Sequence, residues 1–187
     1  MNRIGLIAED ESDVDVVRCV IMKMTKRAFS LEKFIGHGCG KLRNKCGVWA
    51  VNLRDRGCKW LIIVHDSDSN DPVKLKNDLV TAIAPPPIKL HVIVIPVREI
   101  EAWLLADHEA IRRAMNLPKP MPRVANPEQV MRPKEYLRDQ TFIRSGHRTR
   151  YVNSIHNKRI AEACSLANLR RCASFAPLEV FLRTHLG

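Results

Sequence analysis

Carboxylates collect directly after short apolar runs at three places in this chain. Ile4-Gly5-Leu6-Ile7 leads into Ala8-Glu9-Asp10-Glu11-Ser12-Asp13, Trp60-Leu61-Ile62-Ile63-Val64 leads into His65-Asp66-Ser67-Asp68, and the mostly apolar stretch 89–95 leads into Pro96-Val97-Arg98-Glu99-Ile100-Glu101. Like charges gathered at neighbouring strand ends repel one another and lose solvation, so the arrangement is tolerable mainly where a divalent cation neutralises it. An Asp-x-Asp just past a strand can aim Asp66 and Asp68 into one crevice, and Glu9 on an adjacent strand can supply a third ligand. Oxygen-only donors select Mg²⁺ or Mn²⁺. Such ions activate water and offset the charge that builds up on a phosphodiester under attack. Metal-dependent chemistry at phosphate is therefore the expectation. The competing reading, strongest for Glu99 and Glu101, is that these acids are caps and surface charge.

The elements that must position the acids read as strands alternating with helices. Strands are expected over 3–8, 31–35, 59–64 and 89–95, and helices over 12–29, 41–55 and 72–84. Val14, Val17, Val20, Ile21 and Met24 repeat with a helical period, and Glu11, Ser12 and Asp13 suit a first turn, where side chains accept orphan amide hydrogens. Gly57 ends the second helix, and Pro85-Pro86-Pro87 stops the third. This alternation predicts an α/β fold, a parallel sheet of about four strands with helices on both faces. In such sheets ligands bind beyond the carboxyl ends of the strands, where the acids stand. After Glu101 a single helix is expected over 102–115, with Trp103, Leu104, Ile111 and Met115 facing the core. Residues 117–133 hold five prolines and read as mostly extended loop. Short helices are expected near 134–139, 156–165 and 174–184. The division is a catalytic part over 1–111 and a basic helical and loop extension over 112–187 that packs on it.

At 187 residues the chain can bury its own core. Its net charge of +11 is uneven: residues 112–159 hold 12 Lys and Arg against 3 Asp and Glu, whereas residues 1–111 hold 16 against 15. A near-neutral part that concentrates acid at strand ends, followed by a strongly basic part, is the layout of a catalytic core beside a polyanion-binding surface. Lys134, Arg144, Arg148, Arg150, Lys158 and Arg159 are the candidate contacts to nucleic acid; the alternative is a solubilising basic face. With only 5% aromatic residues, stacking on bases is not expected to dominate recognition. The six cysteines form no Cys-x-x-Cys and read as small buried hydrophobes in a reducing cytoplasm, with Cys39, Cys46 and His37 a loose metal or redox pattern. Ile4–Ala8 is too short for a secretory signal, and no apolar run reaches membrane-spanning length.

Two of these motifs carry a resemblance. Residues 7–13, a strand ending in Glu9 with Asp13 four residues later, resemble the first motif of TOPRIM domains, although Asp10 stands where that motif has glycine. Val64-His65-Asp66-Ser67-Asp68 is similar to their Asp-x-Asp motif. A closer likeness is to a family of small stand-alone TOPRIM-like proteins related to the OLD-type nucleases, which often accompany ABC-type ATPases in antiviral defence loci. It rests most on Pro96-Val-Arg-Glu99-Ile-Glu101-Ala-Trp103-Leu-Leu-Ala-Asp107, with Asn126-Pro-Glu128, Pro133-Lys134, Asn157-Lys158 and Cys172-Ala-Ser174-Phe175 as further matches.

The resemblance implies a TOPRIM-like fold and a metal-dependent nuclease acting on DNA or RNA, a toxic effector of an antiviral or toxin-antitoxin-like system. Glu9, Asp13, Asp66 and Asp68 would hold one metal, Glu99 and Glu101 would stand near a second, and Lys158 would stabilise transition-state charge. Implied partners are nucleic acid, an ABC-type ATPase and a second copy of the chain as a homo-oligomer, with no membrane. A response-regulator receiver domain is the main rival, since Glu9, Asp10 and Glu11 look like its acidic pocket and Asp66 like its phosphoacceptor. No fifth strand ending in lysine follows, however. A non-catalytic nucleic-acid-binding module is the second. Topoisomerase and primase use of the same motifs needs a far larger chain or zinc-binding and helicase-binding regions.

Overall fold

The four expected strands form as β1 (Asn2–Ala8), β2 (Phe29–Ile35), β3 (Trp60–Val64) and β4 (Leu90–Val94). They form one sheet in the order β2-β1-β3-β4, every pair parallel. The structure is a computed structural model that describes residues 2–25, 27–36 and 39–187, apart from the Cys39 side chain. His37 and the Cys39 side chain, two parts of the loose cysteine and histidine pattern, thus lie outside the described residues. Ile7 pairs with Ile63, and Val64 with Val94, so the chain leaves β1, β3 and β4 at the same sheet edge. Glu9, Asp66 and Pro96 are therefore delivered to one place by register alone.

Alternation along the strands sorts side chains onto two faces. Ile4, Leu6, Ala8, Ile62, Val64 and Val94 join one apolar cluster, and Ile7, Leu61, Ile63 and Ile93 join another. Helix α1 (Glu11–Met24) covers the first face, and α2 (Cys39–Asp55) and α3 (Pro72–Ala82) the second. α2 and α3 approach closely because residue 47 is glycine: a Cβ there would collide with the Ala82 carbonyl. Gly57, at φ +79°, ends α2 by turning its amide back to the Arg54 carbonyl at 2.8 Å.

The remainder comprises α4 (Glu101–Leu105), α5 (His108–Ala114), α6 (Pro133–Arg144), α7 (Asn153–Ala163), α8 (Leu166–Leu169) and α9 (Ala176–His185), with single 3₁₀ turns at Pro127–Gln129 and Ala173–Phe175. Residues 112–187 do not stand apart from the sheet. Leu137, Tyr151, Ile160, Phe175 and Leu182 belong to the same cluster as Ile4, Leu6 and Val64.

Several expected elements differ in their bounds. The helix expected over 12–29 stops at Met24, because Thr25 is extended and its hydroxyl donates to the Leu186 carbonyl at 2.8 Å. The helix expected over 102–115 is two helices, since Asp107 caps a new one: one carboxylate oxygen accepts from the Ala110 amide and the other from the Ser165 amide, both at 3.0 Å. In the basic region α6 runs longer than its expected range of 134–139, and α8 was not foreseen. Among the described residues, no helix is long and apolar enough to cross a membrane.

Candidate active site

Glu9 leaves the end of β1 and reaches across to β3. Its Oε1 accepts from the Asp66 amide at 2.9 Å, and His65 Nδ1 lies 2.8 Å from that same oxygen and 2.8 Å from the Asp66 carbonyl. Two acceptors facing one ring nitrogen require it to carry the proton, so wholly buried His65 donates to the Asp66 carbonyl and sets that N–H beside the Glu9 carboxylate. Asp66 Oδ1 is shut off from solvent and has no hydrogen-bond partner. Such an atom is costly unless something else binds it.

The next turn of the site comes from the start of α1. Asp10 caps the helix, its carboxylate accepting from the Ser12 amide at 2.7 Å and the Asp13 amide at 3.2 Å, while Asp13 accepts in return from the Asp10 amide at 3.1 Å. This reciprocal box buries Asp13 beside the strand ends. Asp10 Oδ2 also accepts from Asn153 Nδ2 at 3.2 Å.

Beyond β3 and β4 the two loops are laced together. The Ser67 amide donates to the Pro96 carbonyl at 3.0 Å, the Asp68 amide to the Arg98 carbonyl at 2.8 Å, and the Arg98 amide to Ser67 Oγ at 2.7 Å. Asp68 and Arg98 both hold the left-handed backbone region, at φ +48° and +64°, which side-chain-bearing residues adopt at a cost. The chain continues to Glu99 and Glu101, which part company. Glu99 accepts from the Lys134 amide at 2.8 Å and so satisfies an orphan donor in the first turn of α6. Glu101 is buried, and its Oε1 meets the Tyr151 hydroxyl at 2.9 Å, Asn157 Nδ2 at 3.3 Å and Lys134 Nζ at 3.9 Å. The Tyr151 hydroxyl also touches Asn157 Oδ1. Burial, then the charge of Glu101, pushes that hydroxyl far above its ordinary titration range, so it stays a donor.

The electrostatics of the acids are mutual. Burial, followed by the charges of Asp13, Glu101, Glu9 and Asp68, holds the Asp66 carboxyl well above its ordinary value. Burial, then Asp10 and Glu101, does the same to Asp13, and burial with Glu9 raises Asp68. Burial alone would lower the Lys134 ammonium, but Glu101, Glu99, Asp10 and Asp66 more than reverse it, so Lys134 is held charged.

A pH dependence follows. Carboxyls whose values are raised by folding contribute stability that is complete below their ordinary value of 3.8 and is lost as pH climbs through the raised values. Without metal, the protein is expected to melt at falling temperature from about pH 4 towards neutrality, and Asp66→Asn is expected to flatten that slope. Melting curves across pH in EDTA check it; a parent slope identical to that of Asp66→Asn contradicts it.

The structure thus brings together Glu9, Asp13, Asp66, Asp68 and Glu101, and turns Glu99 to a capping role at their margin. Among the described residues, no three His, Cys, Asp or Glu side chains stand close enough to grip an ion as placed. Lys158 does not face the acids. It is exposed on α7 near Cys19 of α1, whose thiol reaches the Lys158 carbonyl at 3.8 Å. The lysine at the acids is Lys134. Arg159 is exposed on the same helix, Arg148 and Arg150 are exposed in the loop after α6, and Arg144 keeps its Nε buried. Arg150 lies 4.1 Å over the Phe142 ring. Tyr151, Asn153 and Asn157 join the acids through tertiary contacts that the sequence pattern does not show, although Asn157 belongs to the Asn157-Lys158 match. Of the cysteines, Cys19, Cys46, Cys58, Cys164 and Cys172 are buried free thiols, and burial pushes Cys46 up to about 12, far from a nucleophile's range.

The chain belongs to the family described as a domain of unknown function (DUF4276), which matches residues 8–183. No curated protein and no solved structure matches it.

Proposed function

We propose that this member of the family is a divalent-metal-dependent nuclease, hydrolysing phosphodiester bonds of DNA or RNA on a TOPRIM-like variant of the α/β fold related to the OLD-type nucleases. The observation that carries the reading is the gathering of Glu9, Asp13, Asp66, Asp68 and Glu101 at the carboxyl edge of a parallel sheet, with Asp66 Oδ1 unpartnered. The donors are all oxygen, the set suited to Mg²⁺ or Mn²⁺. Glu9, Asp66 and Asp68 would hold the ion, with Asp13 and Glu101 beside them. A bound ion would supply an activated water and neutralise charge at phosphorus. The chain's own groups do the rest: His65 orients Glu9, Tyr151 and Asn157 fix Glu101, and the Lys134 ammonium offsets phosphate charge, the role first given to Lys158. A toxic role in antiviral defence beside an ABC-type ATPase belongs to the same proposal.

Incubating the protein with plasmid, single-stranded DNA and total tRNA, each with Mg²⁺, Mn²⁺ or EDTA, tests the reading. Cleavage with metal and none in EDTA supports it. Among the described residues no three donors converge, which favours a second reading, a non-catalytic nucleic-acid-binding module; calorimetry with Mn²⁺ separates the two, since a module without a site takes up no ion. The receiver reading has less support, because the sheet of described residues has four strands and a receiver needs a fifth.

The basic region carries its own expectation. Neutralising Arg144, Arg148 and Arg150 together should flatten the salt dependence of nucleic-acid binding, measured in Ca²⁺, by about two to three log–log units. An unchanged slope with unchanged affinity assigns their charge to a protein partner or to solubility.

A further inference from the structure

Beside the acids a cleft of about 350 Å³ opens between the loop after β3, the turn after β4 and the start of α6, with Asp68, Arg98, Glu99, Met131, Arg132 and Glu135 in its wall. Its size lies in the range of about 300–1,000 Å³ that suits small ligands. Arg98 is held at the rim by its locked backbone. One guanidinium nitrogen donates to the Asp68 carbonyl at 3.0 Å, but the other finds only the Met131 sulfur at 3.5 Å. A thioether is a weak acceptor, so this donor is readily exchanged for an anionic oxygen. Arg132 is exposed, and its side chain meets no partner among the described residues. Glu135 Oε2 is out of solvent with no donor. One wall therefore offers two guanidinium groups with spare donors, and a carboxylate whose unmet acceptor reaches a ligand once the Glu135 side chain turns toward the cleft. Phosphate matches the first, and a hydroxyl or amino group the second.

We propose that this cleft is a nucleotide subsite, with Arg98 and Arg132 on the phosphate next to the scissile one and Glu135 accepting from the sugar hydroxyl or base amino group of that nucleotide. The proposal rests on the nuclease reading for its meaning, since Asp68 and Glu99 belong both to the cleft and to the acid site. Occupancy of the cleft places a neighbouring phosphodiester at the acids. Arg132 and Glu135 bracket Lys134, so one stretch of chain contacts the flanking nucleotide and the acid cluster together.

Calorimetry on the full chain in Ca²⁺, with ribonucleoside and 2′-deoxyribonucleoside 5′-monophosphates and with inorganic phosphate, tests it. Nucleotides should bind more tightly than phosphate, and Arg132→Ala should weaken them by about tenfold or more, as loss of a hydrogen bond to a charged group does. Arg98→Lys, which keeps the charge but loses the fork, should weaken them as well. Glu135→Leu should weaken ribonucleotides alone if the 2′-hydroxyl is the donor, and both series equally if the 3′-hydroxyl or the base amino group is. Nucleotides binding no better than phosphate, or unchanged by Arg132→Ala, overturn the subsite. Cleavage persisting alongside that failure leaves the nuclease reading intact. Nucleotide binding without cleavage in any metal supports the cleft as a site and overturns the nuclease.

Discussion

Asp66→Ala should abolish metal-dependent cleavage, a loss larger than the roughly 10–100-fold that removal of a partner around a metal ligand causes. The variant should stay folded and, in EDTA, melt no lower than the parent. The reason is the environment of Asp66: it leaves the sheet at a strand end rather than filling the core, its Oδ1 has no partner, and four neighbouring acids oppose its charge. Removing it takes away repulsion and opens no apolar cavity. Glu9→Gln is the companion variant. An amide keeps an acceptor for the Asp66 amide and for His65 while losing the charge, so geometry survives and the ligand does not. Cleavage assays with melting in EDTA read both, and parent-rate cleavage by Asp66→Ala refutes the site.

The second large effect is on stability. Trp103→Ala should cost about 3–5 kcal/mol, measured by urea denaturation. Trp103 has no exposed surface, its indole nitrogen donates to Ser174 Oγ at 2.8 Å, and its ring meets Phe175 edge-on at 5.4 Å. Trp103→Phe, which keeps part of the ring packing but loses the hydrogen bond and leaves a smaller void, should cost less than the alanine variant, about 1–3 kcal/mol. Equal costs for the two would move the weight from packing to the Ser174 contact. Because α4 carries both Trp103 and Glu101, the alanine variant should also lose activity before it loses its fold.

The strands and the edge at which the acids emerge were legible because apolar runs ending in acid state both position and direction. What eluded the sequence depended on tertiary contact or on one residue of helix phase. Neighbours on a helix point about 100° apart, so Asn157 turns inward to Glu101 while Lys158 turns to solvent. Lys134 could be seen as basic, but nothing local shows that Glu99 draws the start of α6 against the acids. The break at Asp107 did leave a signal: an aspartate three residues before Ala110 is an ordinary helix cap, outweighed in the reading by the apolar period running through it. The early end of α1 left none, because Thr25 is claimed by Leu186 from the far end of the chain.

The shared core has a consequence for synthesis. A nascent chain that has emerged through α4 already carries every acid of the cluster, yet Ile4, Leu6, Ile62 and Val64 still await the cover that Leu137, Ile160, Phe175 and Leu182 bring. Glu101 likewise lacks Tyr151 and Asn157, its hydrogen-bonding partners. Exposed apolar surface of this kind marks a fragment for aggregation or clearance. A message broken between codons 101 and 151 therefore yields a fragment with an open core, and the acid cluster is completed only once the segment through Leu182 has been made.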